Sequence, residues 1–261
     1  MPFDPTISSK ELLDALFQRF NNTAFIEKDP VSIPHRFQLK EDIEIAAFFA
    51  AIFSWGNRTT ILNKCNELLD CMDNAPFQFI KGHTENELKK LVFFKHRTFQ
   101  ATDLLHFIRF LRFHYSEHSS LESAFTNGMH ASDQNIQQAL SHFHRYFFSL
   151  DESPARTKKH IPSPENNSSC KRLNMFLRWM VRKDSSGIDF GIWKNILPSQ
   201  LVCPLDIHVM RVAKELKLID QEKSDWKTAI ALTDMLKTFD PLDPVKYDIA
   251  LFGWGVSKLP Y

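Results

Sequence analysis

Glycine is scarce in this sequence, at seven in 261 residues, and alternating runs of β-branched residues are few. Both shortages argue against a sheet protein. Cysteine is rarer still, and Cys65, Cys71, Cys170 and Cys203 have spacings that fit neither a paired-thiol zinc site nor an iron–sulfur run. They read as four reduced thiols, which points to a cytoplasmic setting. No stretch approaches the roughly 18 uncharged apolar residues of a membrane span. The N-terminus, MPFDPTISSKELLDALFQRF, lacks the basic start and apolar core of a secretion signal. A surplus of one charge sign is missing too: the formal net charge is +1, so only the distribution of charge bears on a polyanionic partner.

What the chain does have is phenylalanine, 24 against four tyrosines and five tryptophans, within a 43% hydrophobic composition. That is ample bulk for a core. Apolar residues recur at helical spacing over 9–21, 41–55, 58–73, 84–93, 101–115, 119–127, 133–149, 170–183, 206–217, 224–238 and 243–254. The pattern predicts an all-α fold. Prolines interrupt it at KDPVSIPHR (28–36), DESPARTKKHIPSPENNSS (151–169) and DPLDP (240–244), and the second of these is the best candidate for a linker or flexible loop.

Positive charge is concentrated between residues 156 and 183. Arg156, Lys158, Lys159, Lys171, Arg172, Arg178, Arg182 and Lys183 stand there against one acid, Glu165. The excess suits phosphate contact and equally suits a solvated basic face. In CPLDIHVMRVAKEL (203–216), Asp206 precedes an amphipathic helix carrying Val209, Val212, Ala213 and Leu216 on one face. It is a candidate helix cap, and also a candidate carboxylate for stabilising a developing cation. His142 and His144 in HFHRYFF are two residues apart, do not share a helix face and have no completing carboxylate, so no metal site is expected. Trp55, Trp179, Trp193 and Trp254 are candidates either for the core or for stacking on an extruded base.

CPLDIHVMRVAKEL also resembles the segment of helix-hairpin-helix DNA glycosylases in which a V-D-x-H-V-x-R-V pattern carries the catalytic aspartate; Asp206, His208, Val209, Arg211 and Val212 match it. Upstream, EDIEIAAFFAAIFSWGNRTTILNKCNELLD (41–70) resembles that superfamily's early helix pair, and DPVKYDIALFGWGV (243–256) is similar to its closing helix. The chain as a whole resembles an uncharacterised bacterial family of the same type. The superfamily's hairpin reads L-P-G-V-G-x-K, with the lysine as nucleophile in bifunctional members. Here the corresponding residues are NNSSCK (166–171), which puts Asn167 and Ser169 at the glycine positions and Lys171 at the nucleophile's. The interval of 35 residues from Lys171 to Asp206 is nearest to the archaeal 8-oxoguanine glycosylase type.

The resemblance implies a two-lobed helical glycosylase-like fold with an interlobe groove and a degenerate hairpin. Residues 39–205 would form the helical-bundle lobe, and 1–38 together with 206–261 the second. It implies a DNA glycosylase, with or without lyase activity, that removes an oxidised purine such as 8-oxoguanine from damaged double-stranded DNA. Lys171 would be the nucleophile and Asp206 the carboxylate beside the sugar. Asn57 or Arg58 would push into the gap left by the flipped base. Lys158, Lys159 and Arg172 would meet phosphates, and His208 and Arg211 would reach phosphate or brace Asp206. No cysteine follows Cys203, so the iron–sulfur cluster of some glycosylases is ruled out, and a monomer with no cofactor is expected. The rival expectation is a non-catalytic nucleic-acid- or protein-binding module that keeps the glycosylase-like fold.

Overall fold

The computed structural model describes residues 8–27 and 29–257. Among them run twelve α-helices: α1 (Ser9–Phe20), α2 (Lys40–Phe53), α3 (Arg58–Cys71), α4 (Pro76–Gly82), α5 (Glu85–Lys90), α6 (Ala101–Glu117), α7 (Glu122–Thr126), α8 (Gln137–Phe147), α9 (Lys171–Val181), α10 (Ile207–Glu215), α11 (Trp226–Phe239) and α12 (Tyr247–Val256). The all-α expectation is met. The helices start where local chemistry satisfies their free N–H groups. Ser8 with Glu11 and Thr84 with Glu87 form reciprocal capping boxes, and Asn57, Asp206 and Asp225 cap through their side chains. Helix α4, which the periodicity does not foretell, is only seven residues long and opens on a proline at its first position. A two-residue hairpin, β1 (Lys95–His96) with β2 (Phe99–Gln100), pairs antiparallel. Among the described residues no helix is long and apolar enough to cross a membrane.

The chain divides into two compact units. In the second unit, residues 29–132 and 137–163, α2 is buried on nearly every face from Ile43 to Phe53. Its phenylalanines meet those of α6 and α8: Phe48 stacks on Phe107 with ring centroids 5.5 Å apart, and Phe107 meets Phe147 edge-on at 4.7 Å. Truncating one such ring to alanine costs about 3–5 kcal/mol. The buried Glu44 inside this helix is satisfied by the Tyr115 hydroxyl (2.8 Å), the Ser120 hydroxyl (2.6 Å) and the Leu121 backbone N–H (2.9 Å). It therefore does not stand as an uncompensated charge.

The first unit gathers residues 8–27, 133–136 and 164–257. Helix α1 packs on α12, where Gly253 lets the Phe20 ring approach; a Cβ there would lie 2.5 Å from that ring. The Tyr247 hydroxyl donates to Asp14 across the same interface at 2.8 Å. The N- and C-terminal helices thus belong to one unit. The chain passes between units at 163/164 and not at 205/206, and residues 29–38 group with α2. Ion pairs help to tie α9 into the first unit. Arg178 and Arg182 of α9, which read from the sequence as phosphate-facing or solvated cations, are buried against Asp248, Asp189, Asp243 and Asp184 of the first unit.

The stretch 151–169 carries the crossing between the units at 163/164, but it is not a loose loop. Thr157, His160, Ile161, Ser163 and Pro164 are buried within it, and Thr157 donates to the buried Asp103 at 2.7 Å.

Candidate active site

Helix α9 turns Leu173, Phe176, Leu177 and Met180 into the core, which leaves Lys171 half-buried at its first position. An ammonium there meets the positive end of the helix dipole. The N-cap residue, Cys170, adopts a left-handed backbone (φ +50°) and offers no side-chain hydrogen bond. The compensating charge comes from another helix start, since Asp206 Oδ2 lies 3.6 Å from Lys171 Nζ.

Asp206 performs both of the roles that its sequence context leaves open. Its Oδ1 accepts from the backbone N–H groups of His208 and Val209, each at 2.8 Å, and so caps α10. Its Oδ2 faces the amine. The residue is 9% exposed, whereas the Lys171 side chain is 36% exposed. The pair thus combines a rigid, almost fully buried carboxylate with an amine that solvent and a ligand can reach. Charge-assisted capping bonds of this kind fix a carboxylate more firmly than a surface ion pair would.

The turn leading into α9 takes two left-handed residues, Asn167 (φ +55°) and Cys170 (φ +50°). The first falls on a position where the resembling hairpin has glycine, and asparagine tolerates that backbone better than most residues. The second is one residue later than the pattern predicts. Burial pushes the Cys170 thiol up to about 12 and Cys203 well above its ordinary range. Neither neighbour of the pair is therefore a thiolate at neutral pH.

Behind the pair stands a buried network. Asp248 of α12 takes a hydrogen bond from Arg178 Nη1 and faces the Cys203 thiol 4.0 Å away. Burial raises the Asp248 carboxyl to about 6, against the pull of Arg178 and with a further push from Asp206. Arg178 Nε reaches Asp189 at 3.3 Å, and Arg182 reaches Asp189 at 2.6 Å and Asp243 at 2.9 Å. Two arginines on one side of α9 are thereby withdrawn from any phosphate. Arg172, half-buried next to Lys171, is lowered by burial to about 10 and stays cationic.

The remaining sequence candidates are distributed more widely. Arg211 Nη2 donates to the Gly255 carbonyl at 2.8 Å and pairs with Glu215, and so ties α10 to α12. The His208 ring packs edge-on against Phe252. Asn57 and Arg58 belong to the second unit, where Asn57 caps α3 by accepting from the Thr60 N–H (3.2 Å) and Arg58 lies 3.9 Å from Asp29. Lys158 and Lys159 are exposed in that same unit on a short 3-10 turn. Trp179 and Trp193 are fully buried core residues, which removes them as stacking platforms, while Trp55 lies half-buried beside His96 and His160. His144 Nδ1 lies 2.6 Å from the Ile161 carbonyl, and His142 stacks on Tyr146.

One feature escapes the periodicity altogether. Phe93 is 91% exposed, held outward by its buried neighbours Leu91 and Phe94 and flanked by exposed Lys89, Lys90, Lys95 and Arg97. In the sequence LVFF resembles core.

A family model described as "Protein of unknown function (DUF2400)" matches residues 29–257, and the chain belongs to that family. No curated protein and no solved structure matches it.

Proposed function

We propose that this member of the DUF2400 family is a DNA glycosylase of the helix-hairpin-helix type, with the two-lobed helical fold of that superfamily and a degenerate hairpin. It excises an oxidised purine such as 8-oxoguanine from duplex DNA. The observation that carries the reading is the 3.6 Å approach of Lys171 Nζ to Asp206 Oδ2 across the starts of two helices, in the order and chemistry of the motif each residue matches.

The reaction follows from the pair. A damaged base swung out of the stack, at a cost of a few kcal/mol, exposes its anomeric carbon. The neutral Lys171 amine forms a bond to that carbon as the glycosidic bond breaks. The base departs with the bonding electrons and takes up a proton from solvent. The bonded nitrogen passes one proton to Asp206, which delivers it to the ring oxygen as the sugar ring opens, and the product is a protonated imine between Lys171 and the sugar. While positive charge develops on the sugar, the Asp206 carboxylate, fixed by two N–H bonds, stabilises it without having to reorganise.

Borohydride reduction tests this directly. The expected result is a covalent adduct with duplexes carrying 8-oxoguanine or an abasic site, lost in Lys171→Gln. Trapping that survives Lys171→Gln would assign the amine elsewhere. Base release without strand cleavage and without trapping would leave a monofunctional enzyme that uses Asp206 and water.

A non-catalytic binding module is the second reading, and the turn favours it. Its glycine positions hold Asn167 and Ser169, and the Asn167 side chain is tied to Asp225 instead of leaving the backbone open to phosphate. Absence of both base release and trapping would select this alternative.

A further inference from the structure

Lys171 needs a fixed address, yet α9 supplies little of it. The helix has no side-chain cap, and the turn before it lacks the glycines whose backbone freedom normally shapes such a bend. Something else must hold residues 167–170.

The holding group is the cap of another helix. Asp225 Oδ1 accepts from the Thr228 N–H and the Thr228 hydroxyl, both at 3.0 Å, and starts α11. Its Oδ2 accepts from Asn167 Nδ2 at 3.2 Å. The backbones join as well: Ser168 and Asp225 form an antiparallel bridge, and the Trp226 N–H points to the Asn167 carbonyl at 3.4 Å. From within α9, Asn174 Nδ2 donates to the Ser169 carbonyl at 3.0 Å. Asp225 and Asp206 therefore divide their oxygens in the same way. Each spends Oδ1 on its own helix and turns Oδ2 toward the start of α9, one to the turn and one to the amine.

We propose that Asp225 is a positioning residue for Lys171, acting through Asn167 and the turn before α9 in place of the missing glycines. The inference rests on the reading of Lys171 as the nucleophile. It predicts a kinetic effect larger than the lost hydrogen bond alone would suggest, because a displacement of about 1 Å at a reacting atom costs on the order of 100-fold in rate.

The test uses the full chain and three variants. Asp225→Asn keeps an oxygen to cap α11 but removes the carboxylate that Asn167 Nδ2 reaches, so Asn167 must turn its amide over and the bond loses its charge assistance. Asn167→Asp with Asp225→Asn exchanges donor and acceptor and restores the bond. Asn167→Ser cuts the strap while leaving Asp225 in place. Two rates are measured: borohydride trapping on an abasic-site duplex in single turnover, and reductive methylation of Lys171 by formaldehyde and cyanoborohydride without DNA, read by mass spectrometry.

The expected outcome is a fall in trapping of about 10- to 100-fold in Asp225→Asn and in Asn167→Ser, with duplex affinity and melting temperature close to wild type. The exchanged pair should recover most of the rate. Methylation of Lys171 should shift in the single variants and return in the exchanged one. Wild-type trapping rates in both single variants, or an exchanged pair no faster than Asp225→Asn, would overturn the assignment. Should the wild type trap no duplex at all, the nucleophile reading falls, and the methylation rates decide the strap by themselves: equal rates in all four proteins refute it, and a shift reversed by the exchange upholds it.

Discussion

Asp206→Asn separates two duties that one carboxylate performs. Asparagine caps helices about as well as aspartate, and Oδ1 can go on accepting from His208 and Val209, the two 2.8 Å bonds that start α10. What is lost is the charge on Oδ2. As a contribution to stability that charge is small, because its partner Lys171 is 36% exposed at 3.6 Å, and pairs of that kind are worth about 0–1 kcal/mol. For a chain of this size the melting temperature should fall by no more than about 2–4 °C. Asp206→Ala should cost about 1 kcal/mol more, since it removes the cap as well. The catalytic loss is of another order. Deleting a group that takes a proton and faces developing charge lowers the chemical step by about 10²–10⁴-fold. The assay is single-turnover release of 8-oxoguanine from a duplex, alongside thermal unfolding of the three proteins. A folded Asp206→Asn variant that excises within about threefold of wild type would reduce Asp206 to a cap and refute the reasoning.

Neutralising Lys158 and Lys159 together should weaken duplex binding regardless of sequence and reduce the slope of log K against log salt by about 2 if both meet phosphates; an unchanged slope places that turn away from the DNA. Phe93→Ala should weaken duplex binding by about 1–3 kcal/mol if the exposed ring stacks on a base, and equal affinities in a titration would deny it that use. Protons act oppositely in the two units. Burial holds His114 down to about 4, so as pH falls from about 6.5 to 4 the unfolded chain protonates first and stability is lost from the second unit. Asp248, raised to about 6 by burial, takes up its proton in the folded chain first, so stability is gained in the first unit as pH falls through 6 toward 4. Urea unfolding at pH 7 and pH 4.5 should show His114→Gln flattening the first trend and Asp248→Asn the second; pH slopes unaltered by these substitutions would contradict the assignment.

Much of the helical architecture was legible because apolar residues at spacing 3.6 leave a strong local signature, and capping residues such as Ser8, Asn57, Asp206 and Asp225 mark several starts. Helix α4 was not, since seven residues opening on Pro76 carry too little period. The unit boundary was hidden for a different reason: Arg178 and Arg182 look solvated until their distant aspartates are known. Lys171 and Asp206 could be chosen from motif and order, but their approach, and the tie from Asp225 to Asn167 across 58 residues, are long-range facts that no local pattern encodes. The exposure of Phe93 has no local signature, because a phenylalanine among apolar neighbours looks the same whether it faces in or out.

The pairing of α1 with α12 imposes an order on biosynthesis. Helix α1 leaves the ribosome with Leu13 and Leu16 awaiting a partner that lies more than two hundred residues downstream. At about 5–20 residues per second that wait is on the order of 10–40 s. The second unit, nearly continuous in the chain, has all its residues available once Ser163 has left the exit tunnel. A nascent chain stalled between the emergence of Ser163 and the synthesis of Tyr247 therefore carries every residue of the phenylalanine core together with an amphipathic α1 that has no α12 to pack on.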